Sequence, residues 1–138
     1  MRVYLDSCMT IYLIEGAAEM RERVGARLLG DAGARPTIAF TDLSRLECRV
    51  KPLATGNAAT LLDYDAFFAT PGYLRLNLDG SVFDLATELR ARHRLTTPDA
   101  LHLAAAIVAG CDEFWSNDDR LRHAAEARMR VVSMDHLV

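Results

Sequence analysis

The chain has 138 residues, 51% of them hydrophobic and 25% charged, with a formal net charge of −3. That balance suits one domain with its own core and excludes the low-hydrophobicity, high-charge profile of a disordered chain. Cys8, Cys48 and Cys111 are odd in number and include no C-x-x-C pair, which argues against a disulfide framework or zinc knuckle and suits a reducing cytosol.

Residues 2–5 read as a short apolar strand ending at Asp6, and residues 10–14 as one or two helical turns stopped by Gly16. A helix over 18–29 carries Met20, Val24 and Leu28 on one face, with Gly30 and Gly33 marking its end. Pro36 opens a strand over 37–40. Thr41 then caps a helix bearing Leu43, Leu46, Glu47 and Val50, expected to end at Pro52. A helix over 58–68 stops before the Pro71-Gly72 turn, and residues 73–78 form the third strand. Residues 82–93 are helical. Thr97-Pro98-Asp99 then supplies a capping hydroxyl, a proline at the first helical position and an acid in the first turn of a helix reaching about Ala109. A fourth strand over 113–116, a helix over 120–127 and a strand over 130–132 complete the series.

Strands alternating with helices predict a parallel α/β sheet covered on both faces, in one domain spanning 1–138. In such folds the working site lies outside the carboxyl ends of the strands, at a topological switch point. The most apolar stretch, 101–110, contains His102 and is half the ~20 residues needed to cross a bilayer. No secretory pattern is evident in the N-terminal stretch, which Asp6 and Glu15 interrupt, so a cytoplasmic protein without a membrane partner is expected.

The strand-end rule singles out Asp6, Glu47, Asp99 and Asp118. Each also has a structural reading. Asp99 suits the positive end of its helix, Asp118 or Asp119 can cap the next one, and Glu47 can snorkel from its apolar stripe. Together they are harder to explain so. Two carboxylates about 5 Å apart repel by roughly 3 kcal/mol at an effective dielectric of about 20, so a group without an opposing base calls for a divalent cation or raised pKa values. Oxygen ligands without cysteine or paired histidine point to Mg²⁺ or Mn²⁺, and such cations typically face phosphate.

The segments Val3-Tyr4-Leu5-Asp6-Ser7, Ser44-Arg45-Leu46-Glu47, Thr97-Pro98-Asp99-Ala100-Leu101-His102-Leu103-Ala104-Ala105 and Ser116-Asn117-Asp118 together resemble the PIN-domain nucleases, specifically the VapC-type toxins of toxin–antitoxin pairs. The resemblance implies a three-layer fold with a five-stranded parallel sheet and about seven helices. It implies a Mg²⁺- or Mn²⁺-dependent endoribonuclease acting on tRNA or ribosomal RNA, a VapB-type antitoxin partner and a homodimer. By motif, Asp6, Asp99 and Asp118 become metal ligands, Glu47 the fourth catalytic acid, and Ser7 and Ser116 supporting residues. Cys8 and Leu121 depart from the usual pattern, and the doublet leaves Asp119 as an alternative to Asp118. Other readings are a PIN-like RNA-processing or DNA-directed nuclease outside any toxin pair, and a catalytically silent interaction module.

Among the remaining features, His102 reads as a supporting residue and Cys48 as helix packing. Arg45, Arg49, Lys51, Arg90, Arg92 and Arg94 either rim the cleft for RNA phosphates or form solvated helix faces. Tyr12 and Ile14 are either an exposed contact surface or ordinary core.

Overall fold

The structure, a computed structural model, describes residues 1–30, 35–125 and 128–134. Gly33 and the last two positions of the helix expected over 120–127 lie outside the described residues. The elements run β1 (Arg2–Leu5), α1 (Ser7–Glu15), α2 (Ala18–Leu29), β2 (Thr37–Thr41), α3 (Asp42–Ala54), α4 (Ala58–Phe68), β3 (Leu74–Leu76), α5 (Gly80–His93), α6 (Thr97–Val108), β4 (Glu113–Trp115), α7 (Asp119–Ala125) and β5 (Arg130–Val132). The five strands pair in parallel in the order β3-β2-β1-β4-β5. The chain winds outward from β1 to β3, then returns to lay β4 on the other side of β1. That reversal is the switch point, and the ends of β1 and β4 flank it.

Side chains alternate across the sheet and sort into its two faces. Tyr4, Ala39, Phe114 and Val131 join the core made with α5, α6 and α7. Val3, Leu5, Ile38, Trp115 and Val132 pack with α1 and α2 on the opposite side, and Phe40 joins Cys48, Tyr64 and Phe68 from α3 and α4. The result is the three-layer α/β architecture expected. Helix α6 is the most enclosed helix, every residue from Ala100 to Ala106 being buried. No helix among the described residues is long and apolar enough to cross a membrane.

Local differences from the sequence reading have identifiable causes. Helix α1 begins at Ser7 because the Asp6 carboxylate accepts the Ser7 N–H and caps it. Helix α3 runs through Pro52 to Ala54 and closes where Thr55 bonds back to the Lys51 carbonyl through both its N–H and its hydroxyl. The cap of α6 is Thr96, whose hydroxyl oxygen accepts the Asp99 N–H, and Thr97 is the first helical residue. β3 spans only Leu74–Leu76, since this is all that pairs with β2.

The largest correction concerns α3. Leu46 and Val50 are exposed, and the buried face carries Ser44, Cys48 and Pro52 instead. Glu47 therefore does not interrupt a buried apolar stripe. It sits at the border between the buried face and an exposed apolar row of Leu46, Val50 and Leu53.

Candidate active site

Asp6 ends β1 and stands beside Ser116, which follows β4, because the parallel register pairs Leu5 with Trp115. Its side chain is only 13% exposed. One oxygen accepts the Ser7 N–H at 2.9 Å, and the other accepts the Ser116 hydroxyl at 2.7 Å. The Cys8 thiol lies 3.8 Å from the second oxygen and adds a weak donor. Burial raises the Asp6 pKa above the usual carboxylate value; His102 and Ser116 oppose the rise, and the charge of Asp99 adds to it. The Asp99 charge is thus near enough to be felt by Asp6. The Ser116 oxygen also accepts the Asp118 N–H at 3.1 Å, so one hydroxyl ties the first acid to the last.

Glu47 reaches the same edge from α3. Its Oε1 accepts the Ser7 hydroxyl at 2.9 Å and meets His102 Nε2 at 2.5 Å. Burial pushes the Glu47 pKa up, but the His102 and Ser7 interactions outweigh it and hold the carboxyl below its ordinary value. His102 is 1% exposed, and its Nδ1 lies 2.5 Å from the Tyr4 hydroxyl. Tyr4 in turn contacts Thr41 and Ser44, the pair that forms the capping box of α3. Burial strongly raises the Tyr4 pKa, so its phenol stays protonated beside Nδ1. The Glu47 carboxylate can only accept, so His102 Nε2 is the donor in that contact. His102 is therefore a built-in partner of Glu47. The sequence held one signal for this role, a polar side chain on an otherwise apolar, buried helix, which demands a partner.

Asp118 does cap α7, accepting the Arg120 N–H at 3.0 Å. It also grips the Arg120 guanidinium twice, at 3.0 Å to Nε and 2.6 Å to Nη2, and Arg120 lowers its pKa. The same Nη2 lies 3.5 Å from Asp99. Arg120 had no distinguishing signal in the sequence. The four acids are therefore opposed by two basic side chains, contrary to the expectation of a cluster without an opposing base. Asp119 is exposed and stands apart from these contacts.

All the acidic donors are hard oxygens, which fits Mg²⁺ or Mn²⁺ in chemistry. Among the described residues, however, no group of three His, Cys, Asp or Glu side chains is assembled to hold a metal ion. Asp118 spends its oxygens on Arg120 and Glu47 spends one on His102, so closure around a cation requires these contacts to rearrange. Arg120 already places positive charge between Asp99 and Asp118. The site fits a cation by donor type, and a guanidinium now occupies part of that role.

Other sequence candidates resolve locally. Burial raises the Cys48 thiol to about 12 and the Cys8 thiol to about 11, which excludes a ready thiolate at either position. Leu121 is core. Arg45 pairs with Asp42, Arg49 with Asp65 and Arg92 with Glu88, while Arg90 donates to the Leu95 carbonyl and Arg94 forms the left-handed cap of α5. Tyr12 and Ile14 are half-buried and pack against the cores, so neither forms an isolated exposed patch.

A family model described as PIN domain matches residues 3–127. No curated protein matches the chain in sequence. The fold is similar to that of VapBC2 from Rickettsia felis bound to a DNA fragment from their promoter, with TM-score 0.76 and 14% identity over 96% of this chain and 98% of that one. It is also similar to FitAcB from Neisseria gonorrhoeae, with TM-score 0.72 and 16% identity over 97% and 99% of the two chains. A toxin–antitoxin complex from Klebsiella pneumoniae gives TM-score 0.67 and 17% identity over 96% and 97%. At these identities the likeness is one of fold.

Proposed function

The chain belongs to the PIN-domain family, and from that premise we propose that it is a Mg²⁺- or Mn²⁺-dependent endoribonuclease, the toxin of a type II toxin–antitoxin pair. One observation carries the reading. Asp6 and Ser116 meet at the switch point of the sheet, with Asp118 tethered to the same serine and Asp99 close enough to raise the Asp6 pKa. Capping α1 accounts for the Asp6 oxygen that holds the Ser7 N–H, and the meeting of the acids at the switch point is what supports the catalytic reading over a silent module.

In this reading Asp6, Asp99 and Asp118 bind the cation, and Glu47 is the fourth acid. When bound, the cation polarises the phosphodiester, lowers the pKa of a water and neutralises the leaving oxygen. The side chains do the rest. Ser116 and Ser7 fix the Asp6 carboxylate, while Ser7 and His102 hold Glu47 through Oε1. Glu47 Oε2, the oxygen not engaged in those contacts, would then orient the attacking water. The Tyr4 hydroxyl meets the other ring nitrogen of His102 and so fixes the direction of this support.

The toxin assignment draws on the fold likeness to toxin–antitoxin complexes. The expected partners are an RNA such as tRNA or ribosomal RNA, a VapB-type antitoxin and a second copy of the chain. The exposed row Leu46, Val50 and Leu53 flanking Glu47 supports a protein partner that covers the cleft.

The test is cleavage of a tRNA and ribosomal RNA panel with purified protein. Cleavage should require Mg²⁺ or Mn²⁺, stop with EDTA and disappear in Asp6→Asn and Asp99→Asn. Undiminished cleavage in both variants would refute the site. Growth arrest on expression, relieved by the product of a neighbouring short reading frame, tests the toxin role.

A further inference from the structure

Arg120 stands on the first turn of α7 with its side chain 60% exposed, yet its guanidinium points inward to the acids. It makes a two-pronged contact with Asp118 and a longer one with Asp99. Both carboxylates are less exposed than the arginine, at 28% and 23%. The guanidinium therefore lies over the acids on the solvent side, where a substrate must approach. Among the described residues of α7, Leu121, Ala124 and Ala125 are buried and Arg120 is exposed.

We propose that Arg120 is a displaceable counter-charge that becomes a substrate-positioning residue: it neutralises Asp99 and Asp118 before the cation binds, then transfers its fork to an RNA phosphate. This rests on the nuclease reading of the same site. The physical argument has two parts. A divalent cation on Asp99 and Asp118 competes for the oxygens Arg120 holds and repels the guanidinium at close range. The fork that matches a carboxylate also matches two phosphate oxygens, and an exposed side chain can move between them at little packing cost. No covalent step is involved; one charge-assisted contact is exchanged for another.

The two roles predict effects of opposite sign from one substitution. In Arg120→Ala, Mn²⁺ titrated into the metal-free protein without RNA, followed by calorimetry or by the paramagnetic signal of free Mn²⁺, should bind about three- to tenfold more tightly. With saturating metal, KM for RNA cleavage should rise about tenfold while kcat changes far less. Arg120→Lys should recover part of the KM effect, keeping the charge without the fork, and Arg120→Gln controls for loss of side-chain bulk. Thermal unfolding of each variant checks folding. Unchanged or weaker Mn²⁺ binding in Arg120→Ala, or an unchanged KM, overturns the proposal; if cleavage still needs metal, the nuclease reading stands. Absence of Mn²⁺ binding by wild type and variant alike overturns both.

Discussion

The Ser116 hydroxyl lies 2.7 Å from an Asp6 oxygen and joins two residues 110 positions apart across the switch point of the sheet. The same oxygen accepts the Asp118 N–H, so it fixes the spacing of two of the three proposed metal ligands. Ser116→Ala leaves a buried carboxylate oxygen short of a donor, a loss of about 1–3 kcal/mol. Thermal unfolding should register that loss in metal-free protein. Cleavage and Mn²⁺ affinity should fall by about tenfold or more, in line with the loss of other groups that orient metal ligands.

Asp6 and Glu47 should affect stability with opposite pH dependence. The native Asp6 pKa is raised, chiefly by burial, so the native state favours its protonated form. Its favourable contribution is complete below the unfolded value of about 3.9 and is lost as pH rises through the native pKa. Asp6→Asn should thus raise the Tm of metal-free protein at pH 7 by about 2–4 °C, abolish cleavage, and change Tm little near pH 3. Glu47 is held down by His102 and Ser7 against burial. Its contribution is present above the unfolded value and disappears as pH falls through the native pKa, so Glu47→Gln should lower Tm at pH 7 and converge with wild type in acid. Melting curves across pH 3–8 check both signs.

Tyr4→Phe removes the hydroxyl that meets His102 Nδ1 while keeping the ring stacked on Phe114. The expected cost is about 1–2 kcal/mol of stability from the unpaired Nδ1. If His102 orients Glu47, kcat should fall about tenfold with KM nearly constant, and the acid limb of the rate profile should move. An effect on Tm alone would assign the tyrosine to packing only.

The doublet at 118–119 separates cleanly by substitution. Asp118 contacts Arg120 and hangs from Ser116, whereas Asp119 is exposed. Asp118→Asn should weaken Mn²⁺ binding and cleavage by at least about tenfold, while Asp119→Asn should leave both within about twofold. Calorimetry with Mn²⁺ and RNA cleavage at fixed metal concentration distinguish the two positions.

The elements and the acids were legible because their signals are local. An apolar run ending in an acid, Thr97-Pro98-Asp99 at a helix start, and Ser116-Asn117-Asp118 before the next helix each act over a few residues. The same locality explains the errors. Thr96 and Thr97 are equivalent hydroxyls until the backbone chooses one as cap, and the α3 row of Leu46 and Val50 looks like core until the direction of the core is known. Periodicity identifies a face without saying which way it turns.

By itself, the sequence determined the alternation of strands and helices, the three acids at strand ends or helix starts with Glu47 on the helix after β2, and the oxygen-only character of the donor set. Only the tertiary structure decided that β4 lies beside β1, which brings Ser116 to Asp6 and Asp118 with it. It also decided that His102 and Tyr4 support Glu47, and that Arg120 rather than a bare cluster meets Asp99 and Asp118. The reason is range. Caps and periodicity are settled between neighbours, whereas a contact across 98 or 110 positions depends on which strands the whole core brings together.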